Sequence, residues 1–175
     1  MRRKIVLGLL IIVTFILQST VFQAFSIASI SPNLLLILTV SFGFMGGKKT
    51  GLFVGFFSGL MIDLFYGNLF GFYALVYMYV GFMNGFLYKI YYDEDIKVPI
   101  LLVTVSDFVY GTTIYVLQFM LRGRLNYLGY LKHIIIPEIV YTLVITLVLY
   151  RVFFRINQYL FEYETKGQLS PWLRR

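Results

Sequence analysis

Residues 51–67 read GLFVGFFSGLMIDLFYG. Gly51, Gly55 and Gly59 recur at every fourth position, Asp63 takes the next place, and the series extends outward to Gly43, Gly47, Gly67 and Gly71. A four-residue step lies along one face of a helix, so this stretch is an apolar helix with a smooth face that ends in a carboxylate. What such a face does depends on the solvent around it.

That solvent is lipid. Of 175 residues, 59% are hydrophobic and 13% charged, and the mean hydropathy is +0.81, whereas a soluble domain carries roughly a quarter charged residues. The chain reads as an all-α integral membrane protein with no room for a separate soluble domain of ordinary size. Crossing a hydrocarbon core takes about 20 apolar residues of helix. About six transmembrane helices are predicted, near 5–25, 33–47, 50–66, 69–88, 98–121 and 134–154. They make one membrane domain, 1–157, with a short tail, 158–175. A transmembrane β-barrel would need strands of alternating polarity, and these runs are continuous.

Loop charges orient the bundle. With the N-terminus cytoplasmic, the inner side receives Arg2, Arg3, Lys4, Lys48, Lys49, Lys89, Lys97, Arg151, Arg155, Lys166, Arg174 and Arg175, and the outer side only Arg122, Arg124 and Lys132. This asymmetry predicts a multi-pass protein with both termini in the cytoplasm, and it explains the net charge of +7 without nucleic acid. The first apolar stretch exceeds the usual length of a signal-peptide core, so it reads as a retained anchor. Tyr88, Tyr91, Tyr127, Tyr130 and Tyr150 fall at predicted interfaces, where amphipathic rings collect. The tail, with Tyr159, Phe161, Trp172, Arg174 and Arg175, is suited to contact with membrane lipids.

In lipid, helices associate through the close contact that small residues permit. Gly51, Gly55 and Gly59 therefore form a helix-packing face, a docking face for another membrane protein, or a groove for substrate or lipid. Asp63 lies near the outer interface, where it could cap a helix or meet the YGN turn. Asp107 stands deep in the fifth span, with Asn84, Thr104, Tyr110, Thr112 and Gln118 as prospective hydrogen-bond partners. Glu138, after Pro137, is expected one turn into the sixth span. Asp63 and Glu138 could pair with Arg122 and Arg124 on the outer side.

No chemistry-bearing motif is present: no HExxH, no GxSxG, no phosphate-binding loop. Cysteine is absent and His133 is the one histidine, which removes thiolate metal sites and cysteine nucleophiles. Asp63 and Asp107 lack the sequence contexts and common depth of an intramembrane aspartyl protease. The expectation is a protein that is not an enzyme, with no cofactor and no metal.

Three pieces of the chain together resemble the bacterial rod shape-determining MreD family: Pro32-Asn33 before a leucine run, the glycine series ending at Asp63 with Gly67 and Gly71 beyond it, and Pro137-Glu138 in the last span. The resemblance covers nearly the whole chain. It implies a non-enzymatic inner-membrane scaffold of the cell-elongation machinery that docks the single-span protein MreC. Through MreC or directly, it would meet MreB-like filaments and the polymerase and transpeptidase of peptidoglycan synthesis. The family is also similar to the substrate-binding subunits of energy-coupling-factor transporters, which implies the alternative of a small-molecule (vitamin-type) binding subunit. That alternative expects an outer pocket lined by Asp63, Asn68, Asn126 and Glu138.

Overall fold

A computed structural model describes residues 2–24, 30–67, 69–90, 96–120 and 126–168. These residues form six helical units and no β-strand. α1 is Arg2–Leu17, prolonged by a π-helical stretch, Gln18–Phe22. α2 is Leu34–Gly46, α3 is Lys48–Phe65, and α4 is Phe72–Asn84, followed by the 3-10 stretch Gly85–Ile90. α5 is Lys97–Ile114, continued by Tyr115–Phe119. α6 opens as the turn Tyr127–Tyr130, passes through a π-helical stretch Leu131–Ile135 and runs on as Ile136–Gln168.

α2 sits at the centre. Its residues Leu34–Met45 are all buried, as befits a helix that is apolar on every side. α1, α3, α4, α5 and α6 surround it, with α3 and α4 in the most extensive contact. The core joins Leu7, Ile11 and Phe15 of α1, most of the apolar side chains of α2 from Leu35 to Met45, Val54, Tyr77, Val103, Tyr150 and Phe153. The outward faces are apolar as well: Ile5, Leu9, Ile12 and Ile16 on α1, Leu101, Val105 and Val109 on α5, and Val140, Val144 and Val148 on α6 are all exposed. A belt of exposed aliphatic side chains around an apolar core fits a lipid surround and not water.

Three helices, Arg3–Phe22, Lys97–Phe119 and Tyr127–Phe161, are long and apolar enough to cross a membrane, whereas Leu34–Gly46 and Phe72–Tyr88 are apolar but shorter. At 13 residues, α2 is roughly 20 Å long. Its neighbours enclose it on all sides, so its length need not match the hydrocarbon thickness.

The last helix departs from the sequence expectation. It begins near Tyr127, so Glu138 lies about three turns inside it and not one turn from its start. Pro137 therefore sits within a helix. Proline has no N–H to donate and crowds the carbonyl four residues back. The wider π-helical turns at Leu131–Ile135 come immediately before it and open the backbone where the ring would clash. The Ile136–Gln168 segment also extends well past 154, into the region expected as tail.

Candidate functional site

The glycine face is filled from within. A Cβ placed on Gly51 would run into the backbone carbonyl of Gly81, one on Gly55 into that of Tyr77, and one on Gly59 into that of Tyr73. Gly81 meets the Gly51 carbonyl in return, and Gly43 of α2 approaches the same point, 2.8 Å from the Gly81 oxygen to an added Cβ. α3 and α4 thus lie backbone to backbone, at a separation only glycine permits. Of the three readings of the stripe, this contact leaves Gly51, Gly55 and Gly59 no surface to offer a partner.

Asp63 continues the same interface by other means. Where α4 begins, there is no further turn for a glycine to pack on, only the unpaired N–H groups of a helix start. Asp63, 4% exposed, accepts from Tyr73 N with Oδ1 at 2.9 Å and from Ala74 N with Oδ2 at 2.8 Å. The carboxylate caps α4 from the end of α3, where the helix dipole also favours negative charge. Gly71, at φ +92°, turns the chain into α4 in a conformation that suits glycine. Asp63 thus has two backbone N–H groups as partners among the described residues. Arg122 and Arg124 lie outside the described residues.

Asn33 plays the corresponding part for α2. Its Oδ1 accepts from Leu36 N at 3.2 Å and from Tyr77 Oη at 2.6 Å, and its own N–H donates to Thr142 Oγ1 at 3.2 Å. Gln18 Oε1 accepts from Leu35 N at 3.0 Å. The start of α2 is thereby tied to the end of α1 and to the interiors of α4 and α6. The Pro32-Asn33 signature before a leucine run was the signal for this cap.

Asp107 stands about midway along α5 and is 2% exposed. Neither of its carboxylate oxygens has a hydrogen-bond partner among the described residues; the Thr142 hydroxyl stands beside it without meeting hydrogen-bond geometry. The partners expected from sequence are engaged elsewhere. Asn84 donates to Val80 O and Ser106 Oγ, Thr104 to Ile100 O, and Gln118 to Tyr73 Oη. Thr112 pairs with Tyr127, and Tyr110 presents its ring edge-on to Tyr77, with centroids 5.3 Å apart. Glu138 lies within electrostatic range of Asp107 and forms no hydrogen bond or ion pair among the described residues.

Glu138 lines a cavity of about 220 Å³ with Gln18, Asn33, Tyr73, Tyr77 and Tyr110. Neither Asp63 nor Asn126 lines it; Asn126 is occupied in accepting from Gly129 N, and Asn68 lies outside the described residues. On the opposite side of α4, sequence reasoning missed a second feature. α4 and α5 touch at few points, and between them opens a groove of about 520 Å³ walled by Val76, Tyr79, Val80, Leu102, Val105 and Val109. Asn84, 6% exposed, lies on its floor beside Ser106. Its amide N–H groups are used, and its Oδ1 accepts nothing among the described residues. No three His, Asp or Glu side chains gather into a metal-binding group among the described residues.

The polar groups of this molecule are spent mainly on holding helix ends and helix faces together, which defines an all-helical membrane protein built around contacts between helices. A family model described as rod shape-determining protein MreD matches residues 1–160. The chain belongs to that family, and its role lies in the determination of rod shape. Neither a curated protein nor a solved structure matches it, so the likeness to energy-coupling-factor subunits draws no support from a solved fold.

Proposed function

We propose that the chain is a non-enzymatic scaffold of the cell-elongation machinery in the bacterial cytoplasmic membrane, docking an MreC-like single-span protein and, through it, MreB-like filaments and the wall polymerase and transpeptidase. The observation that carries this reading is the family match, which spans 160 of 175 residues. The basic residues of the α1 start and the α2–α3 turn gather at one end of the bundle, which the positive-inside rule assigns to the cytoplasm.

With the glycine face closed, the α4–α5 groove becomes the docking surface in this reading. Its walls are apolar, and Asn84 Oδ1 on its floor accepts nothing among the described residues, a costly state for a buried acceptor in the absence of a donor. A partner helix bearing a hydroxyl or amide would supply that donor. A photoreactive side chain at Val105, in the groove, is expected to capture an MreC-like protein in native membranes, with the exposed Val148 of α6 as the silent control. Capture at Val148 and none at Val105 would remove the groove from the reading. Capture of transporter energising subunits would replace the scaffold by the small-molecule reading. The cavity at Glu138 lends that alternative little, since it lacks two of the polar groups expected there and falls below the roughly 300–1,000 Å³ of most ligand sites.

A further inference from the structure

At the basic end of the bundle a second groove, of about 420 Å³, runs between α1 and α3. Its mouth carries Arg3, Lys4 and Lys49, and its length is lined by Leu7, Leu52, Phe53, Phe56, Phe57 and Met78. Lys4 and Lys49 are both exposed, and neither forms an ion pair among the described residues. Their neighbour Lys48 is differently placed, with its Nζ 3.4 Å from the centre of the Phe86 ring. Two helices thus converge on one spot with open ammonium groups, and below them lies an apolar trough of membrane-facing rings.

We infer that this groove holds an anionic phospholipid, with its phosphate between Lys4 and Lys49 and an acyl chain along Leu52, Phe56 and Phe57. Charge complementarity selects the headgroup, because ammonium groups at the membrane surface favour an anionic lipid over a zwitterionic one. The trough selects lipid over an acidic soluble segment. Leu52, Phe56 and Phe57 face outward from the bundle at the depth where hydrocarbon lies, and a polar peptide would bring unsatisfied backbone groups there. A lipid seated here would join the α1 start to α3, and this groove shares no lining residue with the α4–α5 groove, so the site stands whether or not a partner docks there.

The test is native mass spectrometry of the purified full chain, released from detergent with phosphatidylglycerol or phosphatidylcholine, together with thermal unfolding in each lipid. Retention of phosphatidylglycerol and a higher unfolding temperature with that lipid alone are expected. Lys4→Gln with Lys49→Gln should weaken phosphatidylglycerol binding roughly 25-fold, about fivefold for each lysine near the surface. This variant should unfold normally in phosphatidylcholine, because both side chains are exposed. Leu52→Trp, which fills the trough and keeps the charges, should also lower retention. Lys97→Gln with Arg155→Gln removes the same charge from exposed sites outside the groove and should leave binding unchanged. Equal retention of the two lipids, or equal weakening by the two charge-removing pairs, would overturn the site and leave only nonspecific surface attraction.

Discussion

The two sides of α4 were built from opposite materials. Toward α3 it meets Gly51, Gly55 and Gly59, and the backbones close on each other. Toward α5 it presents Val76, Tyr79, Val80 and Met83 to Leu102, Val105 and Val109, and the helices stay apart around a groove. Water would press both seams shut, since burying apolar side chains is favourable there. Lipid removes that drive, so a seam closes only where small residues allow dense contact or where polar groups find each other. The first seam has the glycines and ends in the Asp63 cap; the second has no such stripe of glycines, and among the described residues only the Asn84–Ser106 and Gln118–Tyr73 side-chain hydrogen bonds cross it. A closed seam contributes stability, and an open one leaves room for a second molecule.

Several substitutions would break or sharpen this contrast. The largest effect is expected for Gly55→Leu. Its Cβ would strike the Tyr77 carbonyl, a backbone atom that cannot step aside, so the loss should exceed the roughly 1–3 kcal/mol of ordinary overpacking and show as failure to accumulate folded protein. Val105→Leu, on the open seam, should change thermal unfolding little. If both variants folded alike, the seams would not differ as described.

Next in size is Asp63→Ala, which strands the N–H groups of Tyr73 and Ala74. A cost of about 1–3 kcal/mol is expected, measured by unfolding in detergent, with Asp63→Asn recovering part of it through its single remaining acceptor. Equal stability of the alanine variant and the parent chain would count against the cap.

Asp107→Asn should act in the opposite direction. A buried carboxylate without a partner is costly in its ionised form, so the neutral amide is expected to stabilise the bundle by on the order of 1 kcal/mol. A loss of stability of that size would mean that the carboxylate has a partner within the bundle.

The smallest effect on the isolated protein belongs to Asn84→Leu. Hydrogen bonds between membrane helices average about 0.6 kcal/mol, so unfolding should barely shift. Capture of a partner at Val105 should fall all the same. Unchanged capture would show that Asn84 Oδ1 plays no part in docking.

Much of this was legible in the chain itself. The periodicity of Gly51, Gly55 and Gly59 marked one helix face, the apolar runs marked helices, and the KKT turn marked a surface-exposed reversal, because each is a local property of consecutive residues. Asp63 was legible as a possible cap and Asn33 as the residue before a leucine run. The depth of Asp107 is legible and its partners are not: Asn84, Thr104, Thr112 and Gln118 bond elsewhere, since depth does not specify which way a side chain faces around a helix axis. The start expected for the last helix, near 134, is where the apolar run begins after Lys132 and His133, and π-helical turns such as Leu131–Ile135 have no sequence signature comparable to a cap.

The sequence by itself determined the solvent, the helical class, the sidedness of charge and the existence of a smooth face, all of which follow from composition and from spacing along one strand of backbone. Only the tertiary structure decided that α4 takes that face, that Asp63 binds the N–H groups where α4 begins, and that the seam toward α5 and the trough between α1 and α3 remain open. Those outcomes depend on which helices are neighbours and at what rotation, and they arise from pairs of distant residues whose contact no local pattern encodes.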